Sequence, residues 1–197
     1  MALLLASSSA IRLHLLREAG VNITSHPARI DESAIMAALQ SEGAPAREIA
    51  DTLAEMKARK IAMRFQDDTV IGCDQTLAFN ARTLSKPESL QDARAQLLAL
   101  RGQTHTLFSA VVLYHRAEPV WRHVGEAHLT MRSFSDSYLD DYLARNWDSI
   151  RTSVGGYKLE EEGVRLFSAI GGDHFTILGL PLLPLLVQLG LRGEIAT

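Results

Sequence analysis

Apolar positions along the chain change period several times, and each change marks an element. Residues 2–6, "ALLLA", form the unbroken apolar run of a short buried strand. Three serines follow, and then "IRLHLLREAG" places Ile11, Leu15 and Leu16 on one helical face, with Gly20 as its C-terminal cap. "VNITSHPARIDES" is irregular around Pro27 and ends near the acidic pair Asp31-Glu32. A long helix is predicted over about residues 47–64, with Ile49, Leu53, Met56 and Ile61 forming much of its apolar face. "TVIGCDQTLAFN" reads as a strand pair or a bent strand. Ser89 caps a helix over "LQDARAQLLAL" that Gly102 closes.

"THTLFSAVVLYH" and "VWRHVGEAHLTMRSF" read as two strands joined by a turn at Glu118-Pro119. In the second, Ala127, Leu129 and Met131 alternate with His128, Thr130 and Arg132, the period of a half-exposed strand. "SDSYLDDYLARN" is a capped helix, "GGYKLEEEG" a glycine-bounded loop, "VRLFSAI" a strand, and the C-terminal "LPLLPLLVQLG" a helix opened by Pro181. No internal repeat, low-complexity segment or long linker interrupts this order. The pattern predicts one α/β domain over residues 1–197, with room for two lobes.

Composition narrows the function classes. A hydrophobic content of 47% over 197 residues can bury a full core. The net charge of −3 argues against a nucleic-acid polymer as partner, although local Arg and Lys clusters can still hold a small anion. One cysteine forms no internal disulfide and fits a reducing compartment. The N-terminal apolar run lacks a preceding basic residue, and Arg12, His14, Arg17 and Glu18 break up the residues after it, unlike a signal sequence. Gly179, Pro181, Pro184 and Gly190 break the apolar C-terminus too often for a membrane span, which needs about 20 suitable residues. The expectation is a soluble cytoplasmic protein without a membrane partner.

Four places carry candidate chemistry. Ser7 and Ser9 lie where a strand gives way to a helix N-terminus, whose free N–H groups favour an anion. Arg12 in the first turn opposes the helix dipole, a penalty that a bound phosphate would reverse; the plainer reading is a capping serine beside a solvated arginine. Lys57, Arg59 and Lys60 read as a solvated helix face, and spacing alone singles out none of them. Lys86 precedes Pro87, which biases it towards an extended backbone. In "IGCDQ", Cys73 would need a lowered pKa and a base to act as nucleophile, and reads rather as a small buried hydrophobe. Asp74, just past an apolar strand, stands where ligands bind in α/β sheets, or else caps a turn. Glu160, Glu161 and Glu162 form either a solvated run or, with Glu32 and Asp74, oxygen ligands for a hard divalent cation. No zinc spacing, Walker loop, GxGxxG or GxSxG is present.

Taken in order, "LASSSAIRLHLL", "IDE", "EMKARK", "IGCDQ", "KPESLQDARAQLLALRGQTHTLFSAVVL", "GGYKLEEEGVRLF" and "GDHFTILGLPLLPL" resemble one family over nearly the whole chain. That family is the Maf/Maf-like nucleoside triphosphate pyrophosphatases. The resemblance implies an α/β fold with a curved mixed β-sheet flanked by helices, two lobes around a cleft, often dimeric. It implies hydrolysis of a nucleoside triphosphate to the monophosphate and pyrophosphate, aided by a divalent metal cation, Mg²⁺ or Mn²⁺. Ser7, Ser9 and Arg12 match the phosphate motif, Glu32 the acidic residue after it, Lys57 and Lys86 the two cleft lysines, and Asp74 the proton acceptor. Arg12, Gln75 and Glu160 match positions associated with substrate choice.

Two departures bear on substrate. The family's usual Pro-Arg after the serines is Ala10-Ile11, and a common loop glycine is Glu161. The branch acting on dTTP and UTP has Asp-Thr and a loop Gln; Asp74-Gln75 and Glu160 resemble the branch acting on 7-methyl-GTP. Physical chemistry is consistent with that choice, because a carboxylate accepts from guanine N1–H and N2–H and favours the cationic alkylated ring. An aspartate of ordinary acidity is a feeble base near neutrality, so Asp74 is expected either to be perturbed or to hold a metal that acidifies water, with Glu32 as co-ligand. Two rival readings stand beside this one: a nucleotide-binding regulator of septum formation, and a cysteine hydrolase using Cys73.

Overall fold

The apolar runs assemble into a single mixed sheet, seen in a computed structural model that describes residues 2–196. β1 (Leu3–Leu5) leads through the serines into α1 (Ala10–Glu18). β2 (Ile23–Ser25), α2 (Glu32–Ser41) and α3 (Ala46–Ala62) precede the long β3 (Thr69–Phe79) and the short β4 (Arg82–Leu84). α4 (Leu90–Leu100) is followed by β5 (Thr104–His115), β6 (Glu118–Met131) and α5 (Asp136–Ile150). After two short 3-10 turns come β7 (Phe167–Gly172), α6 (His174–Ile177) and α7 (Leu182–Leu191). The strand order is β2-β1-β3-β5-β6-β7, with β4 on β3. β1 runs parallel to both its neighbours, and the remaining pairs are antiparallel.

Several expectations need adjusting. "TVIGCDQTLAF" is one continuous strand, and its return, β4, lies beyond it. The β5–β6 turn is at Arg116-Ala117, not Glu118-Pro119, which already pair with β5. Arg116 and Ala117 have φ of 53° and 61°, the left-handed pair whose twist matches a hairpin. The strand expected over "VRLFSAI" starts only at Phe167, because residues 162–166 coil into a 3-10 turn. β2 and α2 occupy and follow the stretch read as irregular.

Helix α3 is close to its expected bounds, but Met56 is 39% exposed rather than core. Ile49, Leu53 and Ile61 are buried as expected, and beside them runs a stripe of Ala46, Ala50, Ala54, Ala58 and Ala62, one residue per turn. Small side chains let the helix lie almost on the sheet. A Cβ at Gly72 of β3 would come within 2.1 Å of the Ala54 carbonyl oxygen and 2.8 Å of the Ala58 nitrogen.

The core falls into three clusters. One fills the α3 face of β1, β3 and β5 with Leu4, Ala54, Ala58, Val70 and Val112. A second fills the opposite face, where Leu5, Ile71 and Cys73 pack against α1 and α7. The third, around Leu97, Leu129, Tyr142 and Leu166, belongs to α4, α5 and the far ends of the long strands. Ala6 and Ala28 of the first cluster and Leu107, Val154, Tyr157, Leu159 and Ile177 of the third line one cleft. Among the described residues no helix is long and apolar enough to cross a membrane.

Candidate active site

The cleft opens where the sheet leaves one strand edge bare. β3 pairs with β5 from Thr69 to Ala78, but its other edge meets β1 only over Thr69–Ile71 and β4 only over Leu77–Phe79. Between them, residues 72–76 have no strand partner on that edge, and Asp74 and Gln75 line a cleft of about 1170 Å³. The alternation of a strand then sorts "GCDQT" by face. Gly72, Asp74 and Thr76 look towards α3: Asp74 bonds Lys57, and the Thr76 hydroxyl donates to Ala46 O at 2.8 Å. Cys73 and Gln75 look the other way, Cys73 into the apolar cluster and Gln75 towards α6.

Asp74 is 6% exposed and Lys57 7% exposed, so this pair is taken out of bulk water. The Lys57 ammonium donates to Asp74 Oδ1 and lies 2.9 Å from Glu32 Oε1, bridging the two carboxylates. Lys86 reaches the other Glu32 oxygen at 3.5 Å. Burial pushes the Glu32 carboxyl up, yet the two ammoniums outweigh it and hold its pKa below the usual value. Asp31 fixes this arrangement locally: its Oδ1 accepts from Ala34 N at 3.0 Å, capping α2 so that Glu32 starts the first turn. The other end of α2 is tied to β4 and the Lys86 segment by Gln40 Nε2 to Thr83 O and Ser85 Oγ to Met36 Sδ.

Beside this pair, in the loop that follows β1, Ser9 caps α1, its Oγ accepting from Arg12 N at 3.4 Å. Ser7 Oγ accepts from Ser9 N and from Arg12 Nη1. Arg12 also donates Nε to Gly179 O at 2.7 Å and Nη1 to Cys73 O at 3.1 Å. Two of its nitrogens therefore brace the cleft wall, joining the exposed edge of β3 to the turn before α7.

Gln75 is committed in a way that fixes its amide. Its nitrogen donates to Thr176 O at 3.2 Å, Ile177 O at 2.9 Å and Ser109 Oγ at 3.0 Å. Two carbonyl partners require a donor there, so Oε1 is the atom left to accept. Glu160, exposed, lines the same cleft behind the turn Gly155-Gly156, whose φ of 77° and 69° suits glycine. Tyr157 of that turn bonds His105 at 2.6 Å and forms part of the cleft floor.

All nine residues singled out by sequence, Ser7, Ser9, Arg12, Glu32, Lys57, Asp74, Gln75, Lys86 and Glu160, line this one cleft. Glu161 and Glu162 do not join them as ligands. Glu161 bonds Ser149 and Lys158, and Glu162 is held by Arg145 and Asn146, which pull its pKa down to about 2. Cys73 is fully buried, and desolvation pushes its thiol up to about 11, which removes the cysteine-hydrolase reading. Sequence reasoning missed Ser8, Arg29 and Arg151, which also line the cleft, and Ser109, which anchors Gln75. Ser8 lies within the serine motif already singled out, whereas Arg29, Ser109 and Arg151 carry no sequence signal of their own and reach the site only through the tertiary fold.

The donor set suits a hard cation only in part. Among the described residues no three His, Cys, Asp or Glu side chains converge as a metal site. Glu32 and Asp74 offer two carboxylates, the number with which Mg²⁺ is held when substrate phosphates supply other ligands.

Comparison with known proteins identifies the family. A family model described as "Maf-like protein" matches residues 2–190. A protein of Ruegeria pomeroyi named "Nucleoside triphosphate pyrophosphatase" is 60% identical over 195 residues, covering 99% of this chain and 98% of the relative. One of Caulobacter vibrioides with the same name is 49% identical, covering 97% and 96%. A Rhizobium etli protein named "7-methyl-GTP pyrophosphatase" is 46% identical, covering 98% and 97%. With a family model spanning nearly its whole length and relatives of this identity, the chain belongs to the Maf-like protein family.

Proposed function

We propose that the chain hydrolyses a nucleoside triphosphate to the monophosphate and pyrophosphate, with a modified guanine such as 7-methyl-GTP as preferred substrate. The observation that carries the reaction is the pairing of a buried carboxylate and ammonium, Asp74 and Lys57, on the open edge of β3, in one cleft with a serine-rich helix N-terminus. In this reading the triphosphate lies between that N-terminus and Lys86. The backbone N–H groups after Ser7 and the Ser8 and Ser9 hydroxyls hold phosphate oxygens. Water attacks the α-phosphorus, the bond to the bridging oxygen breaks, and pyrophosphate leaves. Asp74, through the oxygen that Lys57 does not engage, takes the proton of the attacking water. Lys57 and Lys86 offset charge gathering on the phosphates.

Glu32 and Asp74 would hold a divalent cation, Mg²⁺ or Mn²⁺, together with phosphate oxygens. Such an ion, when bound, offsets phosphate charge and favours the leaving pyrophosphate.

The base preference rests on two acceptors. Gln75 Oε1, left free by the amide's inward bonds, and the Glu160 carboxylate both suit the N1–H and N2–H donors of guanine. The positive ring of 7-methylguanine further favours a carboxylate, whereas thymine would oppose its O2 and O4 to these acceptors. The monomer already contains all nine predicted site residues, so a homodimer would add stability rather than complete the site. A cytoplasmic location suits the substrate and the lone reduced cysteine.

Assays of pyrophosphate release over canonical and modified triphosphates, with Mg²⁺ and with Mn²⁺, test the reading. The expected products are pyrophosphate and the nucleoside monophosphate, in equal amounts. Tight nucleotide binding without release would instead favour a regulator of septum formation.

A further inference from the structure

The cations at the centre of the cleft are already engaged. Lys57 is shared by Glu32 and Asp74, and Lys86 is held by Glu32. Two nitrogens of Arg12 are given to Gly179 O and Cys73 O, and Lys158 is held by Ser149 and Glu161. A nucleoside triphosphate brings several negative charges, so the wall must offer further cations. Among the described residues, two cleft-lining guanidiniums have no hydrogen-bond or ion-pair partner: Arg29 and Arg151.

Their positions differ. Arg151 caps the C-terminal end of α5, on the Glu160 side of the cleft. Arg29 sits in the loop that leaves β2, and β2 ends flush with β1, Ser25 opposite Leu5. The two loops are laced together: Ser25 Oγ donates to Ser7 O at 2.7 Å and His26 N to Leu5 O at 2.8 Å. Arg29 therefore stands beside the serine loop, the part of the cleft suited to anions.

Its backbone is also constrained. Arg29 has φ of 46°, a conformation that L side chains rarely adopt and that concentrates at functional sites. Lys60 holds it there, donating Nζ to Arg29 O at 2.8 Å, while the His26 ring packs on Phe65 just beyond α3. A left-handed position would be served with less strain by glycine or asparagine.

We infer that Arg29 is a further substrate-binding residue, whose guanidinium takes the terminal phosphates of the triphosphate beside the Ser7–Ser9 loop. The inference rests on the pyrophosphatase reading and deepens it. Terminal phosphates leave as pyrophosphate, so Arg29 contacts one product and not the other.

Arg29→Asn keeps the left-handed backbone and removes the charge, and Arg29→Lys keeps a cation. Steady-state pyrophosphate release would be measured for both, with product inhibition and thermal unfolding alongside. For Arg29→Asn the expected result is a KM raised about tenfold, the scale of one lost charge-assisted contact, with kcat changed less than about twofold. The inhibition constant of pyrophosphate should rise in parallel, that of the monophosphate should not, and Tm should hold. Arg29→Lys should recover most of the loss. An active wild type and an Arg29→Asn variant with unchanged KM and pyrophosphate inhibition would overturn this inference alone. So would an equal weakening towards the monophosphate, which marks a distorted loop. A wild type that releases no pyrophosphate from any triphosphate would overturn the underlying reading and this inference with it.

Discussion

Asp74 and Cys73 are neighbours with opposite fates, and one strand step separates them. Cys73 faces the apolar cluster of Leu5 and Ile71, where burial keeps its thiol protonated. Asp74 faces α3 and meets Lys57. The sequence singled out Asp74 as an acid just past a strand, but Asp74 lies in the middle of β3, and the site opens there because β1 and β4 leave that stretch of the strand edge unpaired. Lys57 was not legible from its spacing: its partner is 17 residues away, and only the packing of α3 on β3 joins them. Gln75 was legible as a specificity position through family resemblance, but not its inward commitment to Thr176 and Ile177. Asp74→Asn should lower kcat about 10³-fold, the range of a lost general base, while Glu32 still partners Lys57 and the fold persists. Kinetics with circular dichroism would check this; kcat within about tenfold of wild type would remove Asp74 from the role.

At the scale of elements, the site depends on how closely α3 approaches β3. The alanine stripe and Gly72 let the helix backbone nearly touch the strand, and that distance puts the Lys57 ammonium on Asp74. Gly72→Ala would drive a methyl group into helix backbone, which cannot move aside as a flexible side chain can. The expected cost is about 3 kcal/mol or more, with activity lost beyond what unfolding explains. Denaturant melts checked against residual turnover would show it. Long periodic elements such as α3, α4, α5 and the β5–β6 hairpin were readable because their patterns repeat over many residues. β2 and β4 are three residues each and α2 buries no residue, so none carries a periodic signal. Yet α2 presents Glu32, and β4 leads to Lys86. The supports of the site were thus the least legible elements.

For the whole molecule, the two sides of the cleft share one sheet, and we expect residues 1–197 to unfold as one domain in a single transition. Its pH dependence has an identifiable source in His105, buried at 2% exposure between Tyr157 and Phe167. Desolvation lowers its pKa from 6.5 to about 4. Between those values the unfolded chain binds a proton that the folded chain refuses, so stability rises with pH through this window. His105 therefore costs nothing above about pH 6.5 and destabilises progressively as pH falls towards 4, by at most roughly 3 kcal/mol. Thermal stability should fall less steeply from pH 7 to pH 4 for His105→Gln, which keeps a polar partner for Tyr157. Parallel slopes for variant and wild type would assign the effect elsewhere.

In the proposed reaction this cleft cleaves pyrophosphate from a triphosphate whose base presents donors to Gln75 and Glu160. The direct test is kcat/KM for pyrophosphate release from 7-methyl-GTP and from dTTP, side by side with the same metal. The two acceptors should favour 7-methyl-GTP by about tenfold or more, one or two hydrogen bonds' worth of discrimination. Equal efficiencies, or a preference for dTTP, would contradict it.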